Sequence, residues 1–452
     1  MLGVIAERPV PYGPKDGGPI PEKLLARLWE QRAARQEWFR TTAGSRIRVI
    51  YPGREGKAAG PDFRDAILEV EGQGLVRGDV ELHVRQKDWH SHGHSQDPNY
   101  NGEVVHAALE VDSPSTGLQS GRDTPVVSLA GLLAQSQRRS EEEPGGGFAV
   151  GMGLWELLGR RGFSRPRTAA EAGDLLDSAG DQRFYFKSRR FQLFLADQVT
   201  LEPGNTGDTG GGPDQTALDQ TLLDQTLYEA LMEGLGYKNN QQPFLKLAQR
   251  APWRVLVQKS QGLPGRERAA AVQGWLSAVS GLVARQDSGA AVEGPPRGLG
   301  PAMSRREWHL SRLRPVNHPL RRMAGAAGWA VRYAQNGLVG PLQRAADGAS
   351  RSNTLKALTD CLVVAGDGEG LASIGKDRGR DLVVNVVLPF LYDLSGDGAE
   401  DYLDLYRRLG KSQENELTRE MTRLLLDPSW GRLVTSARRQ QGLIHLHRAL
   451  IG

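Results

Sequence analysis

Carboxylate and imidazole side chains are concentrated in one segment of this chain, residues 60–111. Five of the nine histidines lie between His83 and His106, and the carboxylates Asp62, Asp65, Asp79 and Glu81 stand in or just before the same window. Side chains of these types, when they converge, bind metal ions and transfer protons. The segment is therefore the first place in the sequence to look for chemistry.

An acidic pair gives the most specific hypothesis. The run GDVELHV at residues 78–84 alternates, so as a strand it presents Asp79, Glu81 and His83 on one face and apolar residues on the other. A hairpin would bring Asp62, before the preceding strand, close to Glu81. Two converging carboxylates repel each other unless a cation lies between them, and oxygen ligands suit Mg²⁺ or Mn²⁺. We predict that Asp62 and Glu81 hold the metal ion and that His83 orients a water nucleophile.

Other titratable residues nearby are auxiliary candidates. His90, His92 and His94 alternate, so an extended segment would point all three imidazoles one way, an arrangement that binds Zn²⁺. The Ser, Gly and Asp residues around them favour a loop instead. We expect His106 to point away from its strand neighbours, toward the surface of Glu81. The full auxiliary set is Asp65, Asp79, Lys87, His90, His92, His94 and His106.

Structural explanations of Asp62, Glu81 and His83, without a metal ion, also fit the sequence. Asp62 follows a Gly-Pro dipeptide and could simply cap a turn, as Asp often does. Glu81 and His83 could be the solvated face of an edge strand.

The elements that must position these residues can be predicted from hydrophobic periodicity. The pattern predicts an α/β domain over residues 21–134, with a mixed sheet and flanking helices. Glycines on either side of Gln73 predict a tight hairpin turn. The predicted order is a helix at 21–39, strands at 46–50, 66–71 and 75–85, a polar segment at 86–103, a strand at 104–111 and a strand or short helix at 125–133.

The sequence predicts helices and connecting segments for the rest of the chain. Helical spacing of apolar residues predicts a large all-α domain after the polar, glycine-rich stretch near residue 140. The predicted divisions are an extended arm at 1–20, a linker at 135–150, and a helical domain at 151–452 with flexible inserts at 203–214 and 286–301.

A basic stretch in the helical half is a candidate for phosphate contacts. Arg312, Arg314, Arg321 and Arg322 surround a proline-bounded PVNHP turn. Guanidinium groups bind phosphate in bidentate fashion, and the net charge of +4 weakly favours a nucleic-acid partner. A solvated basic face is the alternative.

Several function classes are disfavoured by composition and motif. The single cysteine, Cys361, allows no internal disulfide and no multi-cysteine zinc site, which suits a reducing cytoplasm. There is no P-loop, dinucleotide-binding glycine pattern or nucleophile elbow. The N-terminus lacks the pattern of a signal peptide, and the most apolar stretch, 382–392, is too short to cross a bilayer. We expect a soluble cytoplasmic protein.

Two resemblances add to these inferences. Residues 20–112 resemble the PD-(D/E)xK nuclease core, with Pro61-Asp62 and Glu81-Leu82-His83 as the motif, and this resemblance implies a restriction-endonuclease-like α/β domain. His83 stands where that core has lysine, and Lys87, six residues after Glu81, is a substitute. Over nearly its full length the chain is similar to a bacterial family of unknown function, domain-of-unknown-function family 2851. The runs that carry this second likeness are AGPDF, GDVELHV, DWHSHGH, VVHAALEV, RPVNHPLRR, NVVLPFLY and QQGLIHLHR.

Three functions follow as hypotheses. The first is a divalent-metal-dependent nuclease whose helical domain positions the nucleic acid. The second is a catalytically inactive nuclease fold that serves as a nucleic-acid-binding or assembly module. The third is a zinc-dependent hydrolase that uses His83, His90, His92, His94 or His106.

Overall fold

A computed structural model gives the fold. The residues that the structure describes are 22–35, 37–56, 60–132, 147–200, 215–282, 294–310, 313, 317–348, 353–366, 372–430 and 432–451.

Two compact units make up the chain. The first contains residues 1–172, 415–431 and 446–452, and the second contains residues 173–414 and 432–445. An N-terminal mixed sheet lies in the first unit, and a predominantly helical region follows it along the chain. The predicted arm at 1–20 and insert at 203–214 lie outside the described residues, as do most of the predicted linker at 135–150 and the first half, 286–293, of the insert at 286–301.

The sheet of the first unit has eight strands in the described residues. Its order is β1-β2-β4-β5-β6-β8-β7, with β3 pairing on β4. Strands β2, β4 and β5 are antiparallel neighbours, whereas β5, β6 and β8 run parallel. The strand bounds are β1 Phe39–Arg40, β2 Arg46–Tyr51, β3 Arg54–Glu55, β4 Phe63–Val70, β5 Gly74–Arg85, β6 Glu103–Glu110, β7 Ser115–Gly117 and β8 Asp123–Ser128.

The predicted hairpin and its neighbours are confirmed. Gly72 and Gly74 adopt φ values of 82° and 81°, which glycine reaches without steric cost, and they close the β4–β5 turn. The predicted first helix is observed as Glu22–Arg35, with Leu25, Leu28 and Trp29 buried. The sequence did not indicate the short strands β1, β3 and β7, because two or three residues carry no readable period.

Two β-bulges adjoin the middle of β5. In β4 the register shifts between Phe63 and Ala66, and Asp65 there has a positive φ of 60°. In β6 the register shifts so that Glu103 pairs with Asp79 while Val105 pairs with the next residue, Val80. An extra residue reverses the alternation of all side chains beyond it. The β6 bulge therefore puts Glu103 and His106, three residues apart, on the same face of the sheet.

The segment that crosses from β5 to β6 consists of short helical turns. A single α-turn spans Asp88–Ser91, and 3₁₀ turns span His94–Gln96 and Pro98–Tyr100. Trp89, Tyr100 and Leu118 are buried together beneath this segment. A small apolar core thus holds the crossover in place.

The remaining helices are longer. The second unit buries one large apolar cluster that includes Phe184, Tyr228, Trp329 and Phe390. None of the helices in the described part of the chain has both the length and the apolarity to cross a membrane. The helices of eight or more residues after the sheet are Gly147–Gly159, Ala169–Thr200, Gln215–Leu235, Tyr237–Arg250, Trp253–Ser260, Gly265–Val279, Pro319–Arg332, Val339–Gly348, Thr354–Leu362, Ala399–Arg408, Glu416–Leu425 and Ala437–Ile451.

Candidate metal centre

Asp62 and Glu81 lie next to each other across the β4–β5 hairpin. The backbone N–H of Asp62 donates to Glu81 Oε2 at 3.0 Å, and the Asp62 carboxylate accepts the N–H of Leu82 at 3.0 Å. Register explains the contact, because Phe63 pairs with Val80 and so Asp62 stands opposite Glu81. The structure thus brings the predicted acidic pair together.

The solvated edge-strand explanation of Glu81 and His83 is wrong. Strand β5 lies between β4 and β6, and the two residues are only 6% and 4% exposed. Both faces of β5 are covered at this point, so these polar side chains are buried and must be satisfied locally.

Three imidazoles converge near Oε1 of Glu81, the carboxylate oxygen that does not accept the Asp62 N–H. Ring nitrogens of His83, His92 and His94 all lie within 4.8 Å of one another. His83 Nε2 is 3.1 Å from His92 Nδ1, and Glu81 Oε1 is 3.2 Å from His94 Nε2 and 3.9 Å from His83 Nε2. Ligands of a tetrahedral Zn²⁺ site, with metal–nitrogen bonds of about 2.05 Å, lie about 3.3 Å apart. The spacing of these four groups is close to that of a metal-binding set.

A hydrogen-bonded chain leads from His83 into the sheet. His83 Nδ1 lies 2.9 Å from His106 Nε2, and His106 Nδ1 lies 2.9 Å from Thr116 Oγ1. If His83 Nε2 holds a metal, its Nδ1 must carry the proton and donate to His106, which in turn donates to Thr116. His106 is fully buried and thus orients the ring of His83 from behind.

Burial and electrostatics keep the imidazoles of His83 and His106 neutral. Burial, and to a smaller extent the neighbouring His106, His94 and His92, lower the pKa of His83 to about 3. Burial, and to a smaller extent the nearby His94 and His90, lower the pKa of His106 to about 4. A metal ion competes with protons for imidazole nitrogen, so neutral rings are prepared to bind one.

Aromatic side chains pack around the imidazoles. The ring centroid of Trp89 is 5.2 Å from that of His106 and 5.3 Å from that of His94. Tyr100 lies 4.0 Å from His94, and Trp89 Nε1–H donates to the Gly117 carbonyl at 3.2 Å. The crossover core therefore fixes the positions of the imidazoles.

Glu103 is a residue that sequence reasoning missed. It is fully buried, and in the described part of the chain neither carboxylate oxygen has a hydrogen-bond partner of normal geometry. Burial raises its pKa well above the usual range, and Glu81, Asp79 and Asp62 raise it further. Burial close to the acidic pair therefore favours the neutral form of the Glu103 carboxyl group. The bulge in β6 concealed it, since regular alternation would place it on the other face from His106.

This protonation predicts a dependence of stability on pH. A carboxyl group whose folded-state pKa is raised contributes fully below its unfolded pKa, and its contribution is lost as pH rises through the folded value. We expect the melting temperature of chelator-treated wild-type protein to fall relative to that of Glu103→Gln between pH 5 and pH 9. Thermal unfolding of both proteins across this range measures the gap.

Glu110, exposed at the other end of the same strand, provides the control. Glu110→Gln should show no pH-dependent gap from wild type. Parallel pH profiles for wild type and Glu103→Gln would show that Glu103 is ionised in the fold.

Asp65, in the bulge of β4, and Asp79, on β5, lie beside the acidic pair. The N–H of Asp65 donates to Asp79 Oδ1 at 3.0 Å, and Arg54 forms an ion pair with Asp65. A non-glycine residue with positive φ is strained, and such strain often accompanies functional sites. Both carboxylates have backbone or guanidinium partners and therefore act as structural neighbours of the pair.

Two auxiliary candidates lie apart from the cluster. The alternative in which an extended segment aligns His90, His92 and His94 is wrong, because short helical turns occupy residues 88–91 and 94–96 of an irregular segment, as the favoured loop prediction requires. His83, His92 and His94 form a metal-compatible group, whereas His90 is exposed and lies outside this group. Lys87 is also exposed, at the start of the first turn.

The predicted arginine contacts fall in the second unit. Arg312 and Arg314 lie outside the described residues. Arg322 is 4% exposed, and its guanidinium donates to Ser373 O at 2.9 Å and Asn317 Oδ1 at 3.1 Å. Arg322 is thus a buried residue and not part of an exposed basic face. Arg321 Nε donates to the Ala372 carbonyl, and nucleic-acid contact by Arg321 stays a prediction.

Comparison with known proteins places one part of the chain. Searches of curated proteins and of solved structures gave no match. Residues 22–143, which contain the sheet and every residue of the metal-compatible group, match the model of a family described as a protein of unknown function, DUF2851. The likeness to this family thus covers the sheet-containing segment of the chain.

Proposed function

We propose that the protein is a metal-dependent hydrolase whose metal ion is held by His83, His92, His94 and Glu81. The observation that carries the proposal is the convergence of three ring nitrogens and one carboxylate oxygen, with measured separations of 3.1, 3.2 and 3.9 Å. Imidazole-rich sets select transition metals such as Zn²⁺ over Mg²⁺.

The surroundings of the group suit catalysis more than structural zinc. His83 is buried, His94 is half-buried and His92 is exposed, so one side of the group faces solvent. Catalytic zinc sites keep a position for water or substrate, and a bound metal lowers the pKa of that water. Asp62 holds Glu81 by its backbone N–H, and His106 holds His83, so two ligands are oriented before any ion arrives.

The proposed substrate class is a phosphodiester. Support comes from the order of elements, a helix, an antiparallel β2-β4-β5 meander, a short crossover and a parallel β6, which resembles the order of the PD-(D/E)xK core. Asp62 and Glu81 occupy neighbouring positions in this arrangement. His83 replaces lysine there, and the imidazole set around it offers a different way to place positive charge near a phosphate.

A second candidate is the Mg²⁺- or Mn²⁺-dependent nuclease that uses Asp62 and Glu81 as ligands. The specific observation in its favour is the direct contact of these two residues across the hairpin. Glu81 would serve either site, so its loss does not separate the two candidates, whereas His92 and Asp62 each belong to one.

The test is hydrolysis by full-length protein stripped with chelator and reloaded with Zn²⁺, Mn²⁺ or Mg²⁺. Substrates are bis(p-nitrophenyl) phosphate and labelled single- and double-stranded DNA and RNA. We expect Zn²⁺ or Mn²⁺ to restore activity, and Glu81→Gln and His92→Ala each to lower kcat/KM at least about 100-fold. His90→Ala, in the same turn, should retain wild-type activity.

Each other outcome selects a different function. Activity with Mg²⁺ that survives His92→Ala but not Asp62→Asn would favour the second candidate. Metal-loaded protein that binds nucleic acid without cleaving it would favour the inactive binding module.

A further inference from the structure

The second unit contains a pair of arginines on one tyrosine ring. The guanidinium carbon of Arg378 lies 3.8 Å from the ring centroid of Tyr237, and that of Arg322 lies 5.6 Å from it. Arg322 also donates to the Tyr237 hydroxyl at 3.2 Å. Tyr237 begins helix Tyr237–Arg250 with a positive φ of 49°, a strained conformation for a non-glycine residue.

These two cations have few anionic neighbours. Among the described residues, Asp381 is the only carboxylate within ion-pair distance of either guanidinium, at 3.6 Å from Arg378. The side chain of Arg378 is 11% exposed, and the Nε groups of Arg322 and Arg378 are buried without hydrogen-bond partners. Arg321, adjacent in sequence, adds a third positive charge that acts on Arg322.

Among the described residues, positive charges outnumber negative ones at this place. Removing a cation from water costs several kcal/mol unless an opposite charge and hydrogen bonds replace the lost hydration. One partly buried carboxylate cannot neutralise three guanidinium groups. Planar guanidinium groups bind phosphate oxygens in paired hydrogen bonds, more favourably than any other side chain.

We propose that Arg322, Arg378 and Tyr237 form a binding site for a phosphate group. The Tyr237 ring, 37% exposed, is the edge at which the pair meets solvent. The phosphate comes either from a free phosphate ion or from the backbone of a nucleic acid. This site belongs to the second unit and is independent of the proposed metal centre.

Arg332 offers a matched control in the same unit. Its guanidinium lies over a tyrosine ring as well, 5.9 Å from the centroid of Tyr333. It differs because it is exposed to solvent, and it donates to the Cys361 and Val363 carbonyls, both at 2.8 Å. An arginine–tyrosine contact as such is therefore common to both places, and only the first buries its guanidinium groups.

Isothermal titration of full-length protein with inorganic phosphate, against chloride at matched ionic strength, tests the proposal. We expect millimolar or tighter binding by wild type, at least tenfold weaker binding by Arg378→Gln, and unchanged binding by Arg332→Gln. Arg378→Lys, which keeps a charge, should bind with intermediate affinity and guards against misfolding of the glutamine variant. A parallel titration uses a single-stranded oligonucleotide.

The outcomes separate support from refutation. Loss of phosphate binding alone in Arg378→Gln supports the site with free phosphate as ligand. Loss of oligonucleotide binding as well supports a phosphodiester ligand. Absence of phosphate binding by wild type, or equal losses in Arg378→Gln and Arg332→Gln, would overturn the proposal.

Discussion

Full-length protein is expected to bind one Zn²⁺ per chain, and His83→Ala is expected to bind it about 100- to 1,000-fold more weakly. The apparent free energy of zinc binding in protein sites is about 10–16 kcal/mol, so loss of one ligand of four removes about 3–4 kcal/mol. The measurement is competition with a calibrated zinc chelator, supported by metal analysis of dialysed protein.

Graded variants make this expectation sharp. His106→Gln keeps all the proposed metal ligands and alters the hydrogen-bond partner behind His83, and such outer partners change metal affinity about 10- to 100-fold. His90→Ala alters an imidazole of the same turn that lies outside the group, so its affinity should equal that of wild type. Equal affinities of the His83 and His90 variants would refute a metal site at His83.

Trp89→Ala should destabilise the sheet unit by about 3–5 kcal/mol, the usual effect of removing a buried tryptophan. Trp89 is fully buried, contacts the rings of His94, Tyr100 and His106, and donates its N–H to Gly117 O. Its removal leaves a cavity beneath the crossover and releases the imidazoles that the crossover carries. Hydrogen–deuterium exchange of amides in β5 and β6 reports this loss locally, which suits a chain of two units.

Trp89→Phe is the matched variant for this effect. It keeps most of the packing and loses one hydrogen bond, so a cost of about 1–2 kcal/mol is expected. Exchange rates in Trp89→Ala as slow as those of wild type would show that the crossover is held by other contacts.

Periodicity was sufficient to predict the central meander. The alternating run of β5 and the glycines of the β4–β5 turn fix a hairpin, and a hairpin fixes the proximity of Asp62 and Glu81. These are local properties of the sequence. The prediction of a sheet followed by a helical region succeeded for the same reason.

The imidazole cluster depends on non-local geometry that the sequence does not display. His92 and His94 reach His83 because helical turns after β5 fold the chain back over the sheet. Glycine, serine and aspartate in this segment predict only an irregular connection. Similarly, the burial of Arg322 follows from the packing of Ser373 and Tyr237 around it, residues 51 and 85 positions away.

The extra residue in β6 has a consequence for how this chain tolerates insertions and deletions. Asp79 pairs with Glu103 and Glu81 pairs with His106, so the face that carries chemistry changes phase at the residue between them, Val104. Deleting Val104 would remove the extra residue and keep Glu103 and His106 on one face, whereas inserting one residue beside the bulge would leave every functional side chain in the sequence and yet rotate Glu103 to the opposite layer from His106. The length of this strand segment is therefore as much a part of the candidate metal centre as the identities of its residues.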